Sequence, residues 1–133
     1  MPFIIDASVA LAWAFGEQDA RAAEAWTRMS AEAVKAPGLW WYELRNVLLV
    51  GERRGRLSEQ QTGRFLRELA HSAVTLDHSP DEMTVLALAR HHRLTIYDAA
   101  YLELALREKL DLATLDAALV AAARSEGVAV IGD

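Results

Sequence analysis

Short apolar runs alternate with longer stretches of helical period along the whole chain. Phe3-Ile4-Ile5 is a continuous apolar run closed by Asp6 and reads as a strand buried on both faces. Asp6-Ala7-Ser8 then leads into Val9, Leu11, Ala12, Trp13 and Phe15, a helix ended by Gly16. Arg21 to Met29 is Ala-rich with Trp26 on one face, a second helix. Ala33-Val34-Lys35-Ala36 is a weak strand stopped by Pro37-Gly38. Leu39 to Arg54 is a largely apolar helix that stops at Gly55. Ser58-Glu59-Gln60-Gln61 is a capping box opening a helix with Phe65, Leu66, Leu69 and Ala70 on one side. Ala73-Val74-Thr75-Leu76 is the next strand.

Ser79-Pro80-Asp81-Glu82 has the form of a second capping box, with Pro80 at the first helical position, before a helix that ends near His92. Thr95 to Leu110 is a helix with a polar cap, and Asp98 lies in its first turn, where the dipole and free N–H groups favour an anion. Leu112 to Leu115 is a strand followed by Asp116 and a helix to Ser125. Gly127 ends that helix, Val128 to Ile131 is a last strand, and Gly132-Asp133 is a frayed end. The alternation predicts an α/β fold: a three-layer α/β/α sandwich around a central parallel sheet of about five short strands. Right-handed crossovers place every strand's carboxyl end on one edge, and Asp6 and Asp116 both follow strands there.

Composition narrows the class. The 133 residues, 53% of them hydrophobic, form one domain, residues 1–133, with material for a sizeable core. The absence of cysteine excludes disulfides and thiolate metal sites and makes the cytosol the expected compartment. Met1 to Asp6 lacks the basic and apolar regions of a signal peptide, and no stretch approaches the roughly 20 apolar residues of a membrane span. A net charge of −5 weighs against a nucleic-acid binder, although a set of acids around a cation is negative by itself.

Four acids stand out. Asp6 can cap the helix that follows it or serve at the ligand edge of the sheet. Glu43 sits in an apolar helix one turn from Asn46, facing solvent or needing a partner or metal if buried. Asp98 and Asp116 begin helices, and Thr114 lies two residues before Asp116, on the same side of an extended segment. Arg53, Arg54 and Arg56 complement a helix dipole, with RNA phosphate as the other reading. His71, His78, His91 and His92 read as surface or loop residues. The adjacent His91 and His92 diverge on a helix, whereas paired ligands there want a spacing of three or four. Trp13, Trp26, Trp40, Trp41 and Tyr42 are either core or exposed apolar patches.

Asp6-Ala7-Ser8-Val9, Glu43-Leu44-Arg45-Asn46-Val47-Leu48, Tyr97-Asp98-Ala99-Ala100-Tyr101-Leu102-Glu103-Leu104-Ala105 and Leu112-Ala113-Thr114-Leu115-Asp116, in this order and length, resemble a PIN domain, and more narrowly the VapC-type toxins of bacterial toxin–antitoxin pairs. The resemblance implies a metal-dependent ribonuclease with Asp6, Glu43, Asp98 and Asp116 as its carboxylates. Ser8, Asn46 and Thr114 match supporting polar positions. It implies Mg²⁺, with Mn²⁺ as a substitute, RNA as substrate, a homodimer, and an antitoxin laid across the active-site groove. Oxygen donors and the lack of thiols suit a hard cation and not zinc. Other readings are a non-toxin RNA-processing nuclease and a non-catalytic RNA- or protein-binding module. A phosphorelay receiver with Asp77 as acceptor is disfavoured: Asp6 is followed by Ala7, and no lysine ends the last strand.

Overall fold

The computed structural model describes all 133 residues. In chain order the elements are β1 (Phe3–Ile5), α1 (Ala7–Ala14), α2 (Ala20–Met29), β2 (Val34–Pro37), α3 (Leu39–Arg53), α4 (Glu59–Leu69), β3 (Val74–Asp77), α5 (Glu82–His92), α6 (Ile96–Glu108), β4 (Asp111–Ala113) and α7 (Ala117–Ser125). The four strands form one sheet in the order β3-β2-β1-β4, every pairing parallel. Phe3 is in register with Val34 on one side and Asp111 on the other. Phe3, Ile4 and Ile5 are all fully buried although successive side chains point to opposite faces, so helices cover both sides of the sheet. No helix is long and apolar enough to cross a membrane.

The strand order fixes where a ligand can sit. The chain builds outward from β1 to β2 to β3, then returns through α5 and α6 to place β4 on the other flank of β1. The direction of winding reverses between β1 and β4, and a crevice opens outside the carboxyl ends of strands at such a switch point. Asp6 follows β1 and Asp116 follows shortly after β4, so they straddle that reversal. On the α1–α3 side, Gly51 is buried, and a Cβ there would lie 2.8 Å from Phe15. The missing side chain is what lets Phe15 seat against α3.

Three local expectations change. Val128 to Ile131 contributes only a single parallel bridge, Leu112 to Val130, and adds no fifth strand. Gly127 and Gly132 both hold positive φ, 78° each, and bend the segment away at either end. The N-cap of α5 is Asp81, whose side chain accepts from the Thr84 N–H at 3.1 Å, and not Ser79. Pro80 therefore precedes the cap. The terminal segment is fastened: the Asp133 carboxylate accepts from Arg124 Nε at 2.6 Å. The Ser58 capping box forms as expected, with Gln61 returning the bond to the Ser58 N–H.

Candidate functional site

Asp6 occupies the N-cap position of α1, but its side chain makes no capping bond. Instead it is buried at 6% exposure and accepts two hydroxyl hydrogen bonds on one oxygen: Ser8 Oγ donates to Oδ2 at 2.9 Å and Thr114 Oγ1 at 2.7 Å. Those hydroxyls are themselves held, because Leu115 N–H donates to Ser8 Oγ at 3.0 Å and Asp116 N–H donates to Thr114 Oγ1 at 3.1 Å. The turn after β4 is thus tied to the turn after β1 through two hydroxyls meeting on Asp6 Oδ2. Oδ1 accepts from no other side chain. Thr114→Val keeps the shape but leaves Asp6 Oδ2 and the Asp116 N–H each short of a partner in a buried place. The expected cost is about 1–3 kcal/mol in denaturant unfolding, with an unchanged m-value.

Glu43 lies one turn into α3, half-buried, and its Oε1 accepts from the Tyr101 hydroxyl at 2.6 Å. Tyr101 is fully buried in α6, one turn after Asp98 on the same face. Burial and the bond to Glu43 push its hydroxyl far above the usual phenol range, so it stays protonated and donates. Thr95 caps α6 by accepting from the Asp98 N–H at 3.1 Å. Asp116 caps α7, its Oδ1 accepting from the Leu119 N–H at 2.8 Å. Four elements therefore contribute one carboxylate each.

These acids feel one another. Burial raises the Asp6 carboxyl above its ordinary value, against the opposing hydroxyls of Thr114 and Ser8. Burial raises Glu43, and the charges of Asp6 and Asp98 add to it. Burial also raises Asp98, helped by Asp116 and Asp6. No ion pair in the protein involves any of the four. Elsewhere the shielded acids have cations: Glu103, 1% exposed, is held by Arg107 at 2.7 Å, and Asp77 by the same guanidinium at 2.8 Å. A group of oxygen donors without cation, thiol or imidazole fits a hard divalent ion. The only His, Asp and Glu trio whose ligand atoms lie within 4.8 Å of one another is elsewhere, so no three of the four acids bring their oxygens that close together in this arrangement. Mg²⁺ characteristically keeps several waters.

The remaining expected residues divide. Ser8 and Thr114 join the cluster, whereas Asn46 is exposed and forms no hydrogen bond to it. Tyr101 was not anticipated, although its spacing from Asp98 offered the signal. Asp77, the receiver-type acceptor, is locked in its Arg107 pair. Arg53 lies in the last turn of α3, and Arg56 stacks on Phe15 at 4.2 Å and pairs with Glu17 at 3.7 Å. Trp40 is core, while Trp26 and Trp41 are each 42% exposed and Tyr42 71%. His71, His78 and His91 are exposed, but His92 is not a free surface residue: its side chain is 10% exposed and its Nε2 lies 2.6 Å from Glu126 Oε2.

The PIN domain family model matches residues 3–131. The chain belongs to the PIN-domain family. Among curated proteins this PIN domain is similar to Ribonuclease VapC3 of Pyrobaculum aerophilum, 35% identical over 119 residues that span 87% of this chain and 90% of that protein. Among solved structures it is similar to the crystal structure of PAE2754 from Pyrobaculum aerophilum, with a TM-score of 0.71, 27% identity, and coverage of 98% of this chain and 83% of that one. A toxin-antitoxin complex from Klebsiella pneumoniae shares the fold, with a TM-score of 0.57 at 18% identity and 86% of each chain covered.

Proposed function

We propose that this PIN domain is a divalent-metal-dependent endoribonuclease and the toxin of a toxin–antitoxin pair. The observation that carries the reading is the set Asp6, Glu43, Asp98 and Asp116: shielded acids from four elements, three of them pushed toward protonation, with no cation among them. Such a group is costly to keep charged unless an ion compensates it. The likeness to Ribonuclease VapC3 supports RNA as the substrate.

When bound, Mg²⁺ or Mn²⁺ lowers the pKa of a water and offsets the charge of the phosphate. The protein's own groups do the positioning. Asp6, held by the Ser8 and Thr114 hydroxyls, and Asp98 would hold the ion, and Glu43 and Asp116 would complete its surroundings directly or through water. The Tyr101 hydroxyl fixes Glu43, which would then be oriented to steer the attacking water. The water oxygen bonds to phosphorus, the bond to the 3′ oxygen breaks, and that oxygen takes a proton. The products are a 5′-phosphate and a 3′-hydroxyl.

Two measurements check the roles. Purified protein with structured RNA cleaves with Mg²⁺ and not with EDTA, and Asp98→Asn is inactive; equal cleavage in all tubes rules the mechanism out. Tyr101→Phe keeps the buried ring but frees Glu43, so kcat falls about tenfold or more with KM little changed, as for removal of one positioned group. For the pairing, expression arrests growth and co-expression of the cognate antitoxin relieves it, whereas a non-toxin RNA-processing nuclease arrests nothing. Trp41 and Tyr42, whose rings meet edge-on at 5.0 Å, together with Leu49, 46% exposed, offer apolar surface for a second copy or the antitoxin.

A further inference from the structure

The only three metal-ligating side chains that converge within 4.8 Å lie away from the four acids, at His91, His92 and Glu126. The adjacency of the two histidines argues against a shared ligand on an ideal helix. They are the last two residues of α5, and the chain turns off at Arg93, whose φ of 54° is left-handed. Their rings stand edge to face with centroids 4.5 Å apart, close enough for a nitrogen of each to serve one ion. Glu126 comes from another element, at the C-cap of α7, and its Oε2 is 2.6 Å from His92 Nε2. No lysine or arginine pairs with Glu126, so the carboxylate faces only imidazole.

A His92–Glu126 pair alone needs no third group. His91 turns the pair into two imidazoles and a carboxylate, the donor set that holds zinc with a fourth position left to water. With bonds of roughly 2.0–2.1 Å, tetrahedral ligand atoms stand about 3.3 Å apart. The His92–Glu126 contact opens by about 0.7 Å to admit an ion, and the remaining atoms close from within 4.8 Å, which rotamer adjustment at an exposed His91 allows. We infer that His91, His92 and Glu126 form a second metal site, selective for zinc-class ions over Mg²⁺, that fastens the end of α5 to the end of α7. Imidazole nitrogen favours Zn²⁺, Co²⁺ and Ni²⁺, whereas Mg²⁺ prefers oxygen. The site is separate from the carboxylate cluster and stands whether or not that cluster cuts RNA.

The test uses the chelator-stripped full chain with Zn²⁺ alone as the probe, in the wild type, in Asp98→Asn, in His91→Ala and in Glu126→Gln. Calorimetric titration is expected to give a zinc site that Asp98→Asn retains, apart from any zinc taken by the carboxylate cluster in the wild type, with a melting temperature raised by about 5 °C or more near saturation. Affinity falls at least about tenfold in His91→Ala and Glu126→Gln. Should Glu126→Gln fold poorly, the exposed His91→Ala decides alone. Co²⁺ gives a tetrahedral visible spectrum in the wild type that His91→Ala loses. Zinc binding unchanged in His91→Ala, lost in Asp98→Asn, or absent from the wild type overturns the site.

Discussion

Asp6→Asn is expected to lower RNA cleavage at saturating Mg²⁺ by at least about a hundredfold while raising the melting temperature of the metal-free protein. The two effects have one cause. Asn keeps a carbonyl oxygen for the Ser8 and Thr114 hydroxyls, so the tie between the turns after β1 and β4 survives. What it removes is the charge whose burial raises the Asp6 pKa and, through space, those of Glu43 and Asp98. A purely capping Asp6 predicts the reverse pattern: loss of stability with cleavage nearly intact. Steady-state cleavage and thermal melts in EDTA on the same preparation separate the two.

The second large effect is a pH dependence that the ion reverses. Asp6, Glu43 and Asp98 all have folded-state pKa values above the ordinary 3.8, 4.5 and 3.8. A raised acid contributes stability in full below its unfolded value and loses it as pH rises through its folded value. Glu32, lowered to about 2 by Arg28 and the N-terminal amine, and Asp77, lowered by Arg107, have the opposite sign, but their window lies below the ordinary acid range. The raised acids therefore make the metal-free protein lose stability as pH rises above the ordinary carboxylate range toward neutrality. Mg²⁺ or Mn²⁺ at a hundred times its dissociation constant restores about 2.7 kcal/mol, and the gain grows with pH as the acids ionise. Melting curves across that range in EDTA and in Mn²⁺ should diverge as pH rises. Parallel curves contradict a shared ion.

Much of this was legible before any coordinates. Asp6 and Asp116 were placed because a strand followed by a carboxylate and a helix is a local pattern, and the ligand edge of a parallel sheet follows from the handedness of its crossovers. Asp98 was placed because a first-turn acid after a threonine cap is local too. The contributions of Ser8 and Thr114 required knowing that the turns after β1 and β4 are neighbours, which is a property of strand order and not of spacing. The orientation of Glu43 depends on Tyr101, 58 positions along the chain, and no periodicity reports a bond between two helices. The same limit explains His92: adjacency on a helix says that the side chains part, but a left-handed residue at Arg93 and a glutamate arriving from α7 decide otherwise. The last strand is reduced to the single Leu112–Val130 bridge beside β4, between two glycines of positive φ at 127 and 132.

A crystal of the protein grown with Mn²⁺ and measured for anomalous scattering puts the central proposition to direct trial. The account predicts a peak between β1 and the start of α6, roughly 2.1 Å from Asp6 Oδ1 and from an Asp98 oxygen, with Glu43 and Asp116 within reach through water. An anomalous map with no peak among these four acids, or with manganese only at His91, His92 and Glu126, contradicts it.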